Sequence, residues 1–407
     1  MYDGTIMSTK TRWTIVLASV PVIAFTLIGG YLGRVSAGEN TYRHLRIFED
    51  VVSLISNNYV EEVDPGEVMH GALRGLAEGL DSDSAYLLQE DVSRLERGGT
   101  LPEGNVGLTV TRRYYTQIVA TRDGSPAAEA GILPGDFVRA IDGEPTRFMS
   151  AIEADRRLHG QPGSTVTVSL IRGRTQEPYD ITLERTINAE LPVTGRLLDN
   201  TTNDIGVVRI PSFHDGVVTQ VSEVITSLTT QGASRLVIDV RNAATGSFPN
   251  ALDAARLFIE DGTLVILQEQ GGTQTLLEAS QTGNSIQLPL TLLINYGSSG
   301  PAELFVAALS DRERAKAIGQ RTAGRVGLQK LVRLPDGTGL WLSYARYLTA
   351  SEEPIHLYGI QPTIPVSVEA PELGEPISAD DPVLDRAVEE MQAEATVRVT
   401  RLAANHA

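Results

Sequence analysis

Between residues 40 and 95 apolar positions recur every three or four residues. Leu45, Phe48, Val51, Val52 and Ile55 share one helical face, as a 3.6-residue period requires. A second helix is expected from Pro65 to about Leu80, with a polar break at Asp81–Ser84. Pro102-Glu103-Gly104 reads as a linker. Beyond it the rhythm changes. Short β-branched runs over Gly107–Val110, Gln117–Ala120, Phe137–Ile141, Thr165–Ile171 and Tyr179–Leu183 alternate with turn residues, which predicts strands. Ser125-Pro126-Ala127 opens a short helix that stops near Gly131, and Ile141-Asp142-Gly143 marks a tight turn,. Residues 100–188 thus read as a small β domain with two helices.

From 190 to 370 strand and helix patterns take turns. Ile205–Ile210, Leu236–Val240, Leu264–Leu267, Leu290–Ile294 and Ala315–Ile318 read as strands. Val217–Thr229, Ala251–Ile259 and Pro301–Leu309 read as helices. Such alternation predicts an α/β domain with buried strands. A polar amphipathic helix from Asp381 to about Leu402 ends the chain within a 371–407 tail. The expectation is therefore a multidomain protein of α/β and α+β class.

Ahead of all this, Trp13–Gly33 contains no charge and follows the short tail 1–12. A helix of that length spans roughly 30 Å, the thickness of the hydrocarbon layer. Trp13 and Tyr31 would sit at the two interfaces. It is expected to be an uncleaved, single-pass anchor in the cell membrane, with the bulk of the chain extracytoplasmic (periplasmic). The other reading is a signal peptide cut near Val35-Ser36-Ala37, for which the apolar run is long.

Composition then removes whole classes of chemistry. The 407 residues include no cysteine, so disulfides, zinc-thiolate sites and a Cys nucleophile are excluded. Lys and Arg number 34 against 51 Asp and Glu, a net charge of −17. That argues against nucleic acid as a partner, because phosphate needs a basic surface. The six His are scattered without metal-ligand spacing, and neither metal nor cofactor is expected. Asp81 and Asp83 read as turn and cap residues, Asp204, Asp215 and Glu223 as solvated, and His159 and His214 as surface residues. Asp239 ends a buried strand, and is expected to pair with Arg241 or cap a turn.

Four segments, in order, carry a resemblance. They are Tyr59-Val60 with Gly71–Leu76 and Leu80–Tyr86, then Ser125–Asp136, then Tyr344–Thr349, then Gly359-Ile360-Gln361-Pro362. Over roughly residues 40–392 the chain resembles the carboxyl-terminal processing peptidases, or tail-specific proteases. The resemblance implies a helical element at 40–95, a PDZ domain at 100–188 and a protease-like domain of the ClpP/crotonase type at 190–370. It also implies amide hydrolysis by a Ser–Lys dyad, in which Ser is nucleophile and a Lys held neutral is base. Peptides or protein carboxyl termini would be the partners, an active homologous protease or other envelope proteins being further candidates. Asn105-Val106-Gly107-Leu108 looks like the PDZ loop that holds a peptide carboxylate.

The dyad itself is missing. The family's Gly-Ser-Ala-Ser-Ala-Ser-Glu run corresponds to Gly297-Ser298-Ser299-Gly300-Pro301-Ala302-Glu303, which puts Gly300 at the nucleophile position. The family's Thr-Phe-Gly-Lys-Gly corresponds to Thr322-Ala323-Gly324-Arg325-Val326-Gly327 and puts Arg325 at the base. The two positions keep the family's spacing, and Gln329 matches a Gln that supports the base. Gly cannot form an acyl-enzyme, and Arg cannot be deprotonated in a protein. The oxyanion turn, Asp239–Gly246, has lost its Pro and first Gly, leaving Thr245 and Gly246; Pro301 removes the N–H after the nucleophile position. The leading expectation is a pseudoprotease that binds peptides or carboxyl termini. One alternative is an active serine endopeptidase using Ser299 or Ser298, with neither Lys330 nor Lys316 well placed as its base. The other is a purely structural envelope protein. Gly300 is expected to cap a helix that starts at Pro301, with Glu303 reaching back to its amide.

Overall fold

The computed structural model describes residues 44–98, 101–173, 177–198, 204–279, 285–375 and 378–405, the last eleven of these by backbone alone. The expected span at 13–33 lies outside them. Among the described residues no helix is long and apolar enough to cross a membrane. The chain forms two compact units, Met1–Gly75 and Leu76–Ala407.

In the first unit, helix α1 covers 44–58 and α2 (Pro65–Glu78) begins there. The apolar stripe of α1 forms as its spacing predicts. Leu45, Val51 and Ile55 on it are exposed.

The second unit opens with an unexpected strand. Residues 85–87 were expected to be helical; instead β1 (Ala85–Leu87) is a buried strand, followed by α3 (Gln89–Glu96). Three residues hold too little local pattern to reveal this, because the pairing partner lies far along the chain. The linker reading at 102–104 is also corrected, since Gly104 belongs to β2 (Gly104–Asn105).

A β domain follows. It contains β3 (Leu108–Arg112), β4 (Thr116–Thr121), α4 (Pro126–Glu129), β5 (Phe137–Ile141), β6 (Glu144–Pro145), α5 (Ala151–Leu158), β7 (Thr165–Ile171), β8 (Tyr179–Glu184) and β9 (Thr186–Ile187). Its sheet runs β3-β4-β5-β7-β8, and β2 pairs with β9 to tie the two ends together. Ser125 and Ser150 cap α4 and α5 by accepting from the amides of Ala128 and Glu153,. Val106, Ile118, Val138, Ile141, Leu158 and Val168 form the core.

The larger layer comprises β10 (Thr194–Leu197), β11 (Ile205–Arg209), α6 (Val217–Thr230), β12 (Arg235–Asp239), α7 (Phe248–Arg256), β13 (Thr263–Glu269), β14 (Gln274–Glu278), β15 (Leu290–Ile294), α8 (Pro301–Ser310), β16 (Lys316–Gly319), β17 (Gly327–Arg333), β18 (Gly339–Thr349), β19 (Ile364–Pro365) and α9 (Pro382–Asn405). The sheet β10-β11-β12-β15-β16-β19 is parallel from β11 onward, with β10 antiparallel at its edge. Its central strands are apolar at their middles, as at Leu236–Ile238 and Leu292–Ile294, because both faces are covered,. One face packs on α6, α7 and α8 through Val221, Leu252 and Phe305. The other receives Val383, Leu384 and Ala387 of α9. A second sheet, β1-β18-β13-β14 with β17 on β18, brings β1 back against Gly339–Trp341.

Candidate functional site

The carboxyl ends of β12 and β15 lie side by side, and the turns that leave them form the floor of the site. That crevice is where open parallel sheets place their chemistry. Asn242 N donates to Asn295 Oδ1 at 3.0 Å, and Asn295 Nδ2 donates back to Asn242 Oδ1 at 2.8 Å, lacing the turns together. Asp239 caps the first turn by accepting from Arg241 N at 3.0 Å and pairs with the Arg241 guanidinium at 2.7 Å. The Asn242–Asn295 pair was not foreseen, since its signal lies in the fold and not in either segment.

Gly300 ends the second turn with φ 57° and ψ −113° and caps α8. A side chain there would be strained, although an added Cβ would meet nothing nearer than Arg325 O at 3.7 Å. A sharp strand-to-helix turn of this sort is where a nucleophile elbow presents its serine. Gly300 N donates to Glu303 Oε2 at 2.9 Å, the expected reach-back. Glu303 does more than the sequence foretold. It is fully buried and also accepts from Thr322 Oγ1 at 2.5 Å, Gly324 N at 2.5 Å and Arg325 N at 2.7 Å. Burial pushes its carboxyl up, against the pull of these donors. One carboxyl group thereby holds the 322–325 loop against the amino end of α8.

Arg325 lines the cleft. Its Nε donates to Asp83 Oδ1 at 2.9 Å, and its Nη2 lies 2.8 Å from the same oxygen in an ion pair. Asp83, read as a turn residue, is thus the ion-pair partner of Arg325, while Asp81 keeps the turn role by accepting from the amides of Asp83 and Ser84. Gln329 does not reach Arg325; its Nε2 donates to Ser343 Oγ at 3.2 Å. Ser298 is fully buried and donates its hydroxyl to Val240 O at 2.9 Å. Ser299 lines the cleft, and its hydroxyl has no partner among the described residues. Lys316 is taken by Glu390 and Glu394 at 2.7 and 2.6 Å. Lys330 lies over the Tyr344 ring, 5.1 Å from its centroid.

The cleft, about 680 Å³, is shared by both halves of the second unit. From the α/β layer come Thr245, Phe248, Pro301 and Gln329; from the β domain come Asn105, Gly107, Leu108, Ile152 and His159. Gly246, at φ 112°, is locked against the Phe213 backbone. Val106 is turned into the β-domain core. Gly107 has φ 79°, and an added Cβ would lie 2.2 Å from Ser125 Cβ. Its amide donates to Asn105 Oδ1 at 2.9 Å. Asn188 Nδ2 donates to Asn105 O at 3.1 Å and so fixes the loop from the far end of the domain.

Three surface readings are corrected. His159 is part of the cleft wall, its Nδ1 2.8 Å from Asp155 O. His214 has Nδ1 2.7 Å from Asp215 O and a buried Nε2. Asp204 pairs with Arg235 at 2.6 Å, tying the start of β11 to β12. Burial pushes the Asp155 carboxyl up, opposed by His159 and Arg325. Among the described residues no group of His, Asp and Glu is placed to hold a metal ion.

A model of peptidase family S41 matches residues 204–366, and one of the PDZ domain matches 117–172. The chain is similar to the carboxyl-terminal-processing protease of Synechocystis sp., with 31% identity over 301 residues, 73% of this chain and 70% of that one. It is 28% identical over 357 residues to a carboxy-terminal processing protease of Bacillus subtilis, covering 86% of this chain and 75% of that one. Among solved structures, the photosystem II D1 C-terminal processing protease superposes with TM-score 0.66 at 25% identity. That match covers 79% of this chain and 92% of the other.

Proposed function

The chain belongs to the carboxyl-terminal processing proteases, peptidase family S41, and from that premise we propose that it is a pseudoprotease, binding peptides or protein carboxyl termini without cutting them. The observation that carries this reading is Gly300, which puts no side chain on the strand-to-helix turn where the family's nucleophile belongs. Two features support it. A guanidinium cannot serve as a general base, and that of Arg325 is engaged by Asp83. Pro301 offers no N–H to an oxyanion, and the loss of one such donor alone costs about 10²–10³ in rate. The cleft nevertheless stays open and continuous with the β domain, whose loop at 105–108 and strand β3 offer a peptide an edge to pair with.

The remaining parts of the proposal are an anchor at Trp13–Gly33 and an extracytoplasmic position for the rest of the chain. Carbonate extraction of membranes tests the anchor: the protein should stay in the pellet, and release of a form beginning near Gly38 would make the run a cleaved signal. One observation favours a second reading. Ser299 borders the cleft with a free hydroxyl, which suits an active enzyme with a shifted nucleophile. The protein should therefore be incubated with unfolded and tail-tagged substrates and with a fluorophosphonate probe. No cleavage and no labelling is the expected outcome. Activity that disappears in Ser299→Ala would establish the second reading and end the first.

A further inference from the structure

Among the described residues, one cation that lines the cleft is not used by the fold. Four guanidinium groups line it. Arg94 pairs with Asp91 and Arg325 with Asp83. Arg122 is turned to Ala189 O and faces Glu190 at 3.9 Å. Arg156, on α5, has no hydrogen bond or ion pair among the described residues, and its Nε is buried without a partner. Its neighbour Arg157 is held by Glu153 at 3.2 Å, and Asp155 faces His159 at 3.8 Å. A buried N–H without an acceptor is unfavourable. The planar guanidinium fork is shaped for a carboxylate, and a ligand in the cleft that offers one gives Arg156 the acceptor that the fold does not.

The wider charge distribution points the same way. The chain as a whole has a net charge of −17, yet its cleft is lined by four arginines against three aspartates. The sign is reversed where a ligand would bind. Arg156 is also well placed, because α5 packs along β3, the strand beside which a peptide would add.

We infer that the cleft selects peptides carrying an acidic side chain close to their carboxyl end, which Arg156 takes in a charge-assisted hydrogen bond. This rests on the cleft being a peptide site and names the class of peptide. The terminal carboxylate marks where the ligand stops; Arg156 reads what comes before it.

The test uses the full-length protein and fluorescence anisotropy. Short labelled peptides with a free carboxylate and an apolar last residue carry Glu, Gln or Lys at one upstream position, moved along the peptide in turn. At the preferred position Glu should bind about 5–20-fold tighter than Gln, with Lys weaker still. Arg156→Gln should erase the difference, and Arg156→Lys should keep part of it. Arg156 has no partner to lose, so both variants should melt with the wild type. Equal binding of Glu and Gln peptides overturns the inference, as does a preference that survives Arg156→Gln. If Arg156→Gln instead abolishes the effect of amidating the terminus, Arg156 grips the terminal carboxylate and the inference is again overturned. Binding of no peptide at all would bring down the peptide-site reading as well, so the two failures look different.

Discussion

Asp81 and Asp83 stand two positions apart and have separate roles. Asp83 pairs with Arg325 at 2.8 Å. Asp81 is turned inward, its Oδ1 accepting from the amides of Asp83 and Ser84 at 2.9 and 2.6 Å. His356, buried, holds Nε2 3.8 Å from Asp81 Oδ2. Burial pushes the Asp81 carboxyl up, but His356, Ser343 and the two amides more than reverse this and hold it well below the usual carboxylate range. The native state therefore binds fewer protons here than the unfolded chain does near pH 4, the ordinary Asp value. The resulting stability is complete above that pH and lost as the medium becomes more acid. Asp81→Asn keeps an oxygen for the turn amides and removes the charge. Its cost should be about 1–2 kcal/mol by urea denaturation at pH 7 and should shrink at pH 3. An equal cost at both pH values would show that packing, not charge, is what Asp81 contributes.

At the scale of elements, the amino end of α8 is a tightly constrained join. Gly300 takes its positive φ there, and Glu303 binds the turn to the 322–325 loop. By side-chain chemistry alone serine is a good cap, and Gly300→Ser would be harmless. The backbone says otherwise: a non-glycine residue in that region costs of order 1–3 kcal/mol. Gly300→Ser should lower stability by about that amount while the fold survives, because the added Cβ has room. Thermal unfolding decides it, and an unchanged midpoint would mean the turn relaxes to negative φ. Elements that carry their own pattern were legible in the sequence. Phe137–Ile141, Thr165–Ile171 and Leu290–Ile294 are strands to the residue. Those held by distant partners were not, among them β1, β14 and β17, whose exposed or short runs become strands only through β13 and β18. The site was legible in the same uneven way. The spacing of Gly300 and Arg325 located it, but Asp83, Asn242 and Arg156 enter only through tertiary contact. One capping signal was present and overlooked: Ser247, which accepts from Asn250 N, starts α7 at Phe248 and not at Ala251.

At the scale of the whole second unit, the β domain is joined to the α/β layer by few polar contacts. Arg209 donates to Asp123 Oδ2 at 2.9 and 2.7 Å, and Tyr296 Oη donates to Gln117 Oε1 at 3.0 Å. The Arg209–Asp123 pair is partly solvated and contributes under about 1 kcal/mol. Asp123→Ala with Tyr296→Phe should thus barely move the unfolding midpoint, yet amide exchange in β3 and β4 should quicken several-fold. Unchanged exchange would mean that the joint is held by its other contacts, the bond from Arg172 Nη1 to Pro371 O among them. A last consequence concerns synthesis. Asp83 and Arg325 lie 242 residues apart, and β1 finds its place only against β18. On the ribosome, at roughly 5–20 residues per second, the stretch around β1 must wait on the order of 10–50 s for its partners. Through that interval a nascent chain exposes Ala85, Tyr86 and Leu87, and a stalled or truncated product never covers them. Quality control has a ready mark by which to tell a finished molecule from an unfinished one.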